Sequence, residues 1–89
     1  MMRTNPDYIL RTIVDENILV PCGEASKGLS GMINLNETAV FIWNAINDAK
    51  DIDEIIQKVV EEFEIDEETA STDVRGLIKE LTMVGMVIE

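Results

Sequence analysis

The chain predicts a small α+β domain, a three-stranded antiparallel sheet followed by three helices. Three observations lead there. β-branched and aromatic residues crowd the segments before position 36, whereas apolar residues recur at helical spacing after it. Helix-start signals stand at Asn36, at Asp51 and at the acidic group Asp66-Glu67-Glu68. With 89 residues, 46% of them hydrophobic, there is enough apolar material for one core. A single domain over 1–89 is therefore expected, with an ordered core from about residue 8 to residue 88.

Each element has its own reason. Residues Met1 to Asp7 are polar, carry Pro6, and are expected to fray. Tyr8 to Val14 reads as a strand, Asp15-Glu16-Asn17 as a tight turn, and Ile18-Leu19-Val20 as the returning strand, closed by Pro21, which cannot donate in a ladder. Gly23 to Ser30 has little periodicity and leads to a third strand, Met32 to Leu35. Asn36 caps the first helix, which runs from Glu37 to Asn47 or Ala49, with Leu35 and Val40 placed as a hydrophobic staple. Its apolar face is Ala39, Ile42, Trp43 and Ile46.

Asp51 with Glu54 three residues on has the spacing of a capping box, and Ile52, Ile55, Ile56, Val59 and Phe63 form the face of the second helix. The third helix starts near Glu67 and shows Ala70, Val74, Leu77, Leu81 and Val84, ended by Gly85 as C-cap. Met86 to Ile88 is long enough for one further short strand.

The formal net charge of −11, with only seven basic residues, disfavours phosphate backbones and hence nucleic acid. Neither a signal peptide nor an apolar run of the roughly 20 residues needed to span a membrane is visible. One cysteine, Cys22, leaves no internal disulfide, and the expectation is a cytoplasmic protein. There is no histidine, Cys22 has no cysteine or histidine partner for a metal, and the glycine spacing does not match a phosphate-cradling loop. The many carboxylates read as solvated helix faces, so no catalytic constellation, metal or cofactor is expected. An acyl carrier protein is also not indicated, because neither Ser30 nor Ser71 lies in an Asp-Ser-Leu turn.

The run Leu35-Asn36-Glu37-Thr38-Ala39 followed by Ile42-Trp43 resembles the PqqD-like family. That family comprises pyrroloquinoline-quinone biosynthesis protein D and related recognition domains for ribosomally made precursor peptides. Asp73, then Leu81 and Gly85, and the hairpin segment Glu16 to Pro21 extend the likeness over about Tyr8 to Ile88. The resemblance implies a winged-helix-like fold that binds a precursor's leader segment. The leader would add as a strand to the third strand and lie in the groove against the third helix. The domain would then deliver it to a modifying enzyme, such as a radical S-adenosylmethionine protein, with no catalysis of its own.

On these residues the strand side would be Met32, Ile33 and Asn34, and the helix wall Arg75, Ile78, Lys79 and Thr82. Arg75 and Lys79 would suit an acidic leader. Simpler readings stand beside these. Ile42 and Trp43 suit the core, and Asn36 is a cap. Asp73 suits a structural hydrogen bond to a neighbouring loop. Only one of Met32 and Ile33 can face outward. Arg75 and Lys79 also suit a solvated face, pairing with Ser71 or Glu80. A DNA-binding winged helix and a scaffold or dimerisation module without a peptide ligand are the rival functions, and a homodimer is left open.

Overall fold

The structure is a computed structural model that describes residues 2–23 and 33–88. Its elements are β1 (Arg3–Thr4), β2 (Tyr8–Ile13), β3 (Glu16–Pro21), β4 (Ile33–Leu35), α1 (Glu37–Ile46), α2 (Ile52–Phe63), α3 (Glu67–Met83) and β5 (Val87–Ile88). This is the α+β arrangement anticipated, a three-stranded antiparallel sheet of order β2-β3-β4 followed by three helices. The register pairs Leu10 with Leu19 and Leu19 with Ile33, so the middle of β3 faces the helices and Leu19 is fully buried. Met32, proposed as the first residue of the third strand, lies outside the described residues, as does the segment 24–30.

Three expectations are corrected. The hairpin turns at Val14–Asp15, because Ile13 pairs with Glu16, and both Glu16 and Asn17 belong to β3. This turn places Val14 at φ +58° and leaves it 88% exposed. Left-handed backbone is sterically costly for a β-branched residue, about 1–2 kcal/mol, and asparagine or glycine occupies such loops more readily. Val14→Gly is therefore expected to raise stability by up to about 1 kcal/mol after the added unfolded-state entropy of glycine. An increase in the urea midpoint at unchanged slope would show it.

The amino-terminal segment, expected to fray, is tied into the fold instead. β1 pairs with β5 antiparallel, Arg3 opposite Ile88 and Thr4 opposite Val87. Asn5 donates its backbone N–H to the Met86 carbonyl (2.9 Å) and its side-chain Nδ2 to the Gly85 carbonyl (2.8 Å). The Asn47 side chain at the end of α1 accepts from the Thr4 backbone N–H through Oδ1 and donates from Nδ2 to the Thr4 hydroxyl. Every one of these partners is more than 40 residues away in sequence, beyond the reach of local propensity.

The third correction concerns α3. Its buried residues are Ala70, Val74, Ile78 and Leu81, whereas Leu77 is half-buried and Val84, at the C-cap, is 46% exposed. α3 packs chiefly along α2, and that contact turns the stripe toward Ile78.

The helix ends follow local rules. Asn36 Oδ1 accepts from the Ala39 N–H at 2.8 Å and Asp51 Oδ1 from the Glu54 N–H at 2.9 Å. The reciprocal bond of the second cap reaches one residue further back than in a standard box, since Glu54 Oε2 accepts from the Lys50 N–H. Gly85, at φ +81°, ends α3 in a Schellman motif, with the Met86 N–H donating to the Leu81 carbonyl and the Gly85 N–H to Thr82.

Asp66 caps α3 through the Thr69 hydroxyl (2.7 Å) and the Thr69 N–H (2.9 Å), and these bonds hold its carboxyl below the ordinary 3.8. A depressed folded-state pKa means the cap's contribution is present above the ordinary value and is lost as pH falls through the folded-state pKa. The stability gap between wild type and Asp66→Asn is thus expected to be constant above pH 3.8 and to shrink below it. Urea unfolding across an acid series measures this.

The core gathers Leu19 with Ile42 and Ile46 of α1, Ile55 and Val59 of α2, Val74 and Leu81 of α3, and Met86 and Val87. Trp43 is buried among them, as its spacing foretold. Phe41 and Phe63 meet edge to face, 5.5 Å between centroids, where α1 adjoins α2.

Candidate functional site

β4 has β3 on one side and no strand on the other among the described residues, so one edge of the sheet is left open. The joint between β4 and α1 is a single residue, Asn36, whose capping bond fixes the angle at which the strand enters the helix. Two depressions meet at that joint. The first, about 210 Å³, lies between α1 and α3 and is lined by Asn36, Thr38, Ala39, Ile42, Asp73 and Leu77. Its floor is apolar, from Ala39, Ile42 and Leu77, and its rim is polar. An apolar cavity of roughly 150 Å³ accommodates a benzene ring, so this cleft has room for one large side chain. The second depression is broader and shallower, and runs from Asn36 and Glu37 past Asn34 and Leu35 to Asp15, Glu16 and Asn17 at the hairpin turn.

The expected site residues divide. Ile33 and Asn34 are on β4, half-buried and exposed respectively, with Ile33 on the core side opposite Leu19 and Asn34 opposite Ile18. Asn34 lines the broad depression. Met32 falls outside the described residues. Ile78 is 6% exposed and belongs to the core, so it does not form part of a groove wall. Arg75 turns to α2, donating from Nη2 to Asp53 Oδ1 at 3.2 Å and from Nε to Ser71 at 3.1 Å. Lys79 and Thr82 are exposed but are not among the described residues lining the cleft.

The wall that α3 offers to the cleft is instead Asp73 and Leu77, on the flank opposite Arg75. Leu77 was expected in the core and Asp73 in a structural hydrogen bond. Asp73 is exposed and makes no hydrogen bond or ion pair among the described residues. The sequence did hold a signal for this wall, because Asp73 and Leu77 are four apart and flank the Ala70-Val74-Leu81 stripe on one side.

As chemistry, this arrangement offers backbone hydrogen-bonding groups along an edge, one apolar socket and an acidic rim. Among the described residues no group of three or more His, Cys, Asp or Glu side chains is placed to hold a metal ion. Nor, among the described residues, is any helix long and apolar enough to cross a membrane.

Comparison with known proteins bears on the fold and the family. No curated protein sequence matches the chain. Two solved structures share its fold. TbiB1 in complex with the TbiA(beta) leader peptide aligns at 19% identity over 96% of this chain and 93% of that one, with a TM-score of 0.74. Lasso peptide synthetase B1 complexed with the leader peptide aligns at 20% identity over 99% and 98%, with a TM-score of 0.77. The family model for coenzyme PQQ synthesis protein D matches residues 13–87, from the last residue of β2 to β5. With a match across all three helices and most of the sheet, the chain belongs to the coenzyme PQQ synthesis protein D (PqqD) family.

Proposed function

We propose that this domain is a non-catalytic recognition module that binds the leader segment of a ribosomally synthesised precursor peptide and presents it to a modifying enzyme. The observation that supports this most is the open edge of β4 running into the cleft between α1 and α3. An extended peptide laid along that edge satisfies the free N–H and C=O groups of β4, and one of its apolar side chains fills the socket over Ala39, Ile42 and Leu77. Main-chain pairing supplies affinity and the socket supplies choice. Family membership and the two leader-peptide complexes of the same fold support the same reading.

The site residues on this reading are Ile33 and Asn34 on the strand side, Asn36 at the joint, and Asp73 and Leu77 on the helix side. The modifying enzyme would be one such as the radical S-adenosylmethionine protein that the family resemblance implies. DNA binding is not favoured, because Arg75 is held by Asp53 and the charged residues lining the two depressions are acidic.

Affinity capture from host lysate with the domain as bait, read by mass spectrometry, identifies the ligand. Hydrogen exchange on the recovered complex then locates it. Slowed exchange at the amides of residues 33–35 is the expected result. Recovery of no peptide where precursors are expressed, or protection confined to other elements, would overturn the reading.

A further inference from the structure

Among the described residues, the two depressions that meet at Asn36 are lined by four charged side chains, and all four are acidic: Asp73 in the cleft, and Glu37, Asp15 and Glu16 in the trough leading to the hairpin turn. No basic residue is among their described lining residues. The basic residues the structure describes are placed elsewhere. Arg75 is paired with Asp53 and Lys58 with Glu54, both against α2. Arg3 is on β1, Lys50 precedes α2, and Lys79 is absent from the cleft lining. Arg11 shares a sheet face with Ile18 and Asn34 but is on β2, two strands from the open edge of β4, and is not among the lining residues of either depression.

We infer that the peptide this groove takes is cationic, with lysine or arginine residues flanking the side chain seated in the socket. The inference rests on the reading of the groove as a peptide site and specifies the chemistry of its occupant. Asp73 lines the socket and Glu37 follows Asn36 at the joint, so a strand on the open edge of β4 meets negative charge where its anchoring side chain is seated, and Asp15 and Glu16 extend the acidic rim on the β3 side of the joint. An acidic strand would have to approach the same carboxylates within a molecule of net charge −11. Complementary charge accelerates encounter and selects among partners, and like charge brought together on docking excludes the wrong ones. This reverses the preference that Arg75 and Lys79 suggest from sequence alone.

The test is selection from a displayed library of random twelve-residue peptides on the intact domain at low salt, followed by titration of the enriched peptides. Enrichment of Lys and Arg over Asp and Glu is expected. Affinity should fall at least tenfold, by order of magnitude, in the double variant Glu37→Lys/Asp73→Lys and on raising salt to about 0.5 M. The double variant Glu61→Lys/Glu62→Lys makes the same change in net charge on an exposed stretch of α2, and should leave affinity within about twofold. Equal losses in the two double variants would show that overall charge and not the groove attracts the peptide, and would overturn the inference.

Enriched peptides that are neutral or acidic, yet lose binding in Leu77→Asp, would also overturn it while leaving the groove reading standing. Enriched peptides of any charge that bind Leu77→Asp undiminished would overturn the groove reading itself. Circular dichroism of each variant confirms that it is folded.

Discussion

Leu19→Ala is expected to cost about 2–5 kcal/mol, the range for removing a fully buried leucine and leaving a cavity. Leu19 is the hinge of the packing. It sits in the central strand, pairs with Leu10 on one side and Ile33 on the other, and faces the helices with no exposed surface. A domain of this size has only roughly 5–15 kcal/mol in hand, so this one truncation consumes a large share of its stability. The site suffers with it, because β4 takes its strand partner from β3, and its register beside the cleft depends on that pairing. Urea denaturation followed by both helical signal and Trp43 fluorescence should show a lowered midpoint with the two probes coincident. A change under about 1 kcal/mol would mean that the site collapses around the missing atoms and that Leu19 is not the centre described here.

The second large effect is on binding. Leu77→Asp is expected to weaken peptide affinity by about thirtyfold or more, the loss typical of removing a central apolar contact and worth about 2 kcal/mol. Leu77 is half-buried on the cleft floor, and the substitution places a second carboxylate one turn from Asp73. Arg75→Glu provides the contrast. It breaks the exposed pair with Asp53, worth at most about 1 kcal/mol of stability, and leaves the lining of the cleft untouched. Its affinity is expected to stay within about twofold of wild type. Titration of the captured peptide against both variants decides between the two flanks of α3. A loss in Arg75→Glu with none in Leu77→Asp would move the groove to the opposite side of the helix.

Much of this architecture was legible in the sequence because it is set by short-range interactions. Asn36, Asp51 and Asp66 each cap a helix by bonding to an N–H three residues on, and Gly85 ends α3 through the left-handed backbone that glycine tolerates. The apolar periodicity alone places Ile42, Trp43, Ile55, Ile56 and Val59 in the core, where the structure has them. Those readings need only the chain within one turn of itself. The family likeness worked in the same way, through short runs such as Leu35 to Ala39.

What only the tertiary structure decided lies where two elements share one residue's choices. Leu77 and Ile78 are both apolar neighbours on α3, and periodicity allows either as the core position. The packing of α3 along α2 selected Ile78 and left Leu77 for the cleft. Arg75 could reach either flank, and Asp53, 22 residues earlier on α2, drew it away from the groove. The polar start of the chain has no local reason for order, yet Asn5 binds it to Gly85 and Met86, β1 pairs with β5, and Asn47 ties it to the end of α1. Local chemistry thus determined the elements and their ends. Which flank of α3 faces the cleft came from the packing of the helices, because burial is a property of pairs of surfaces and not of a single segment.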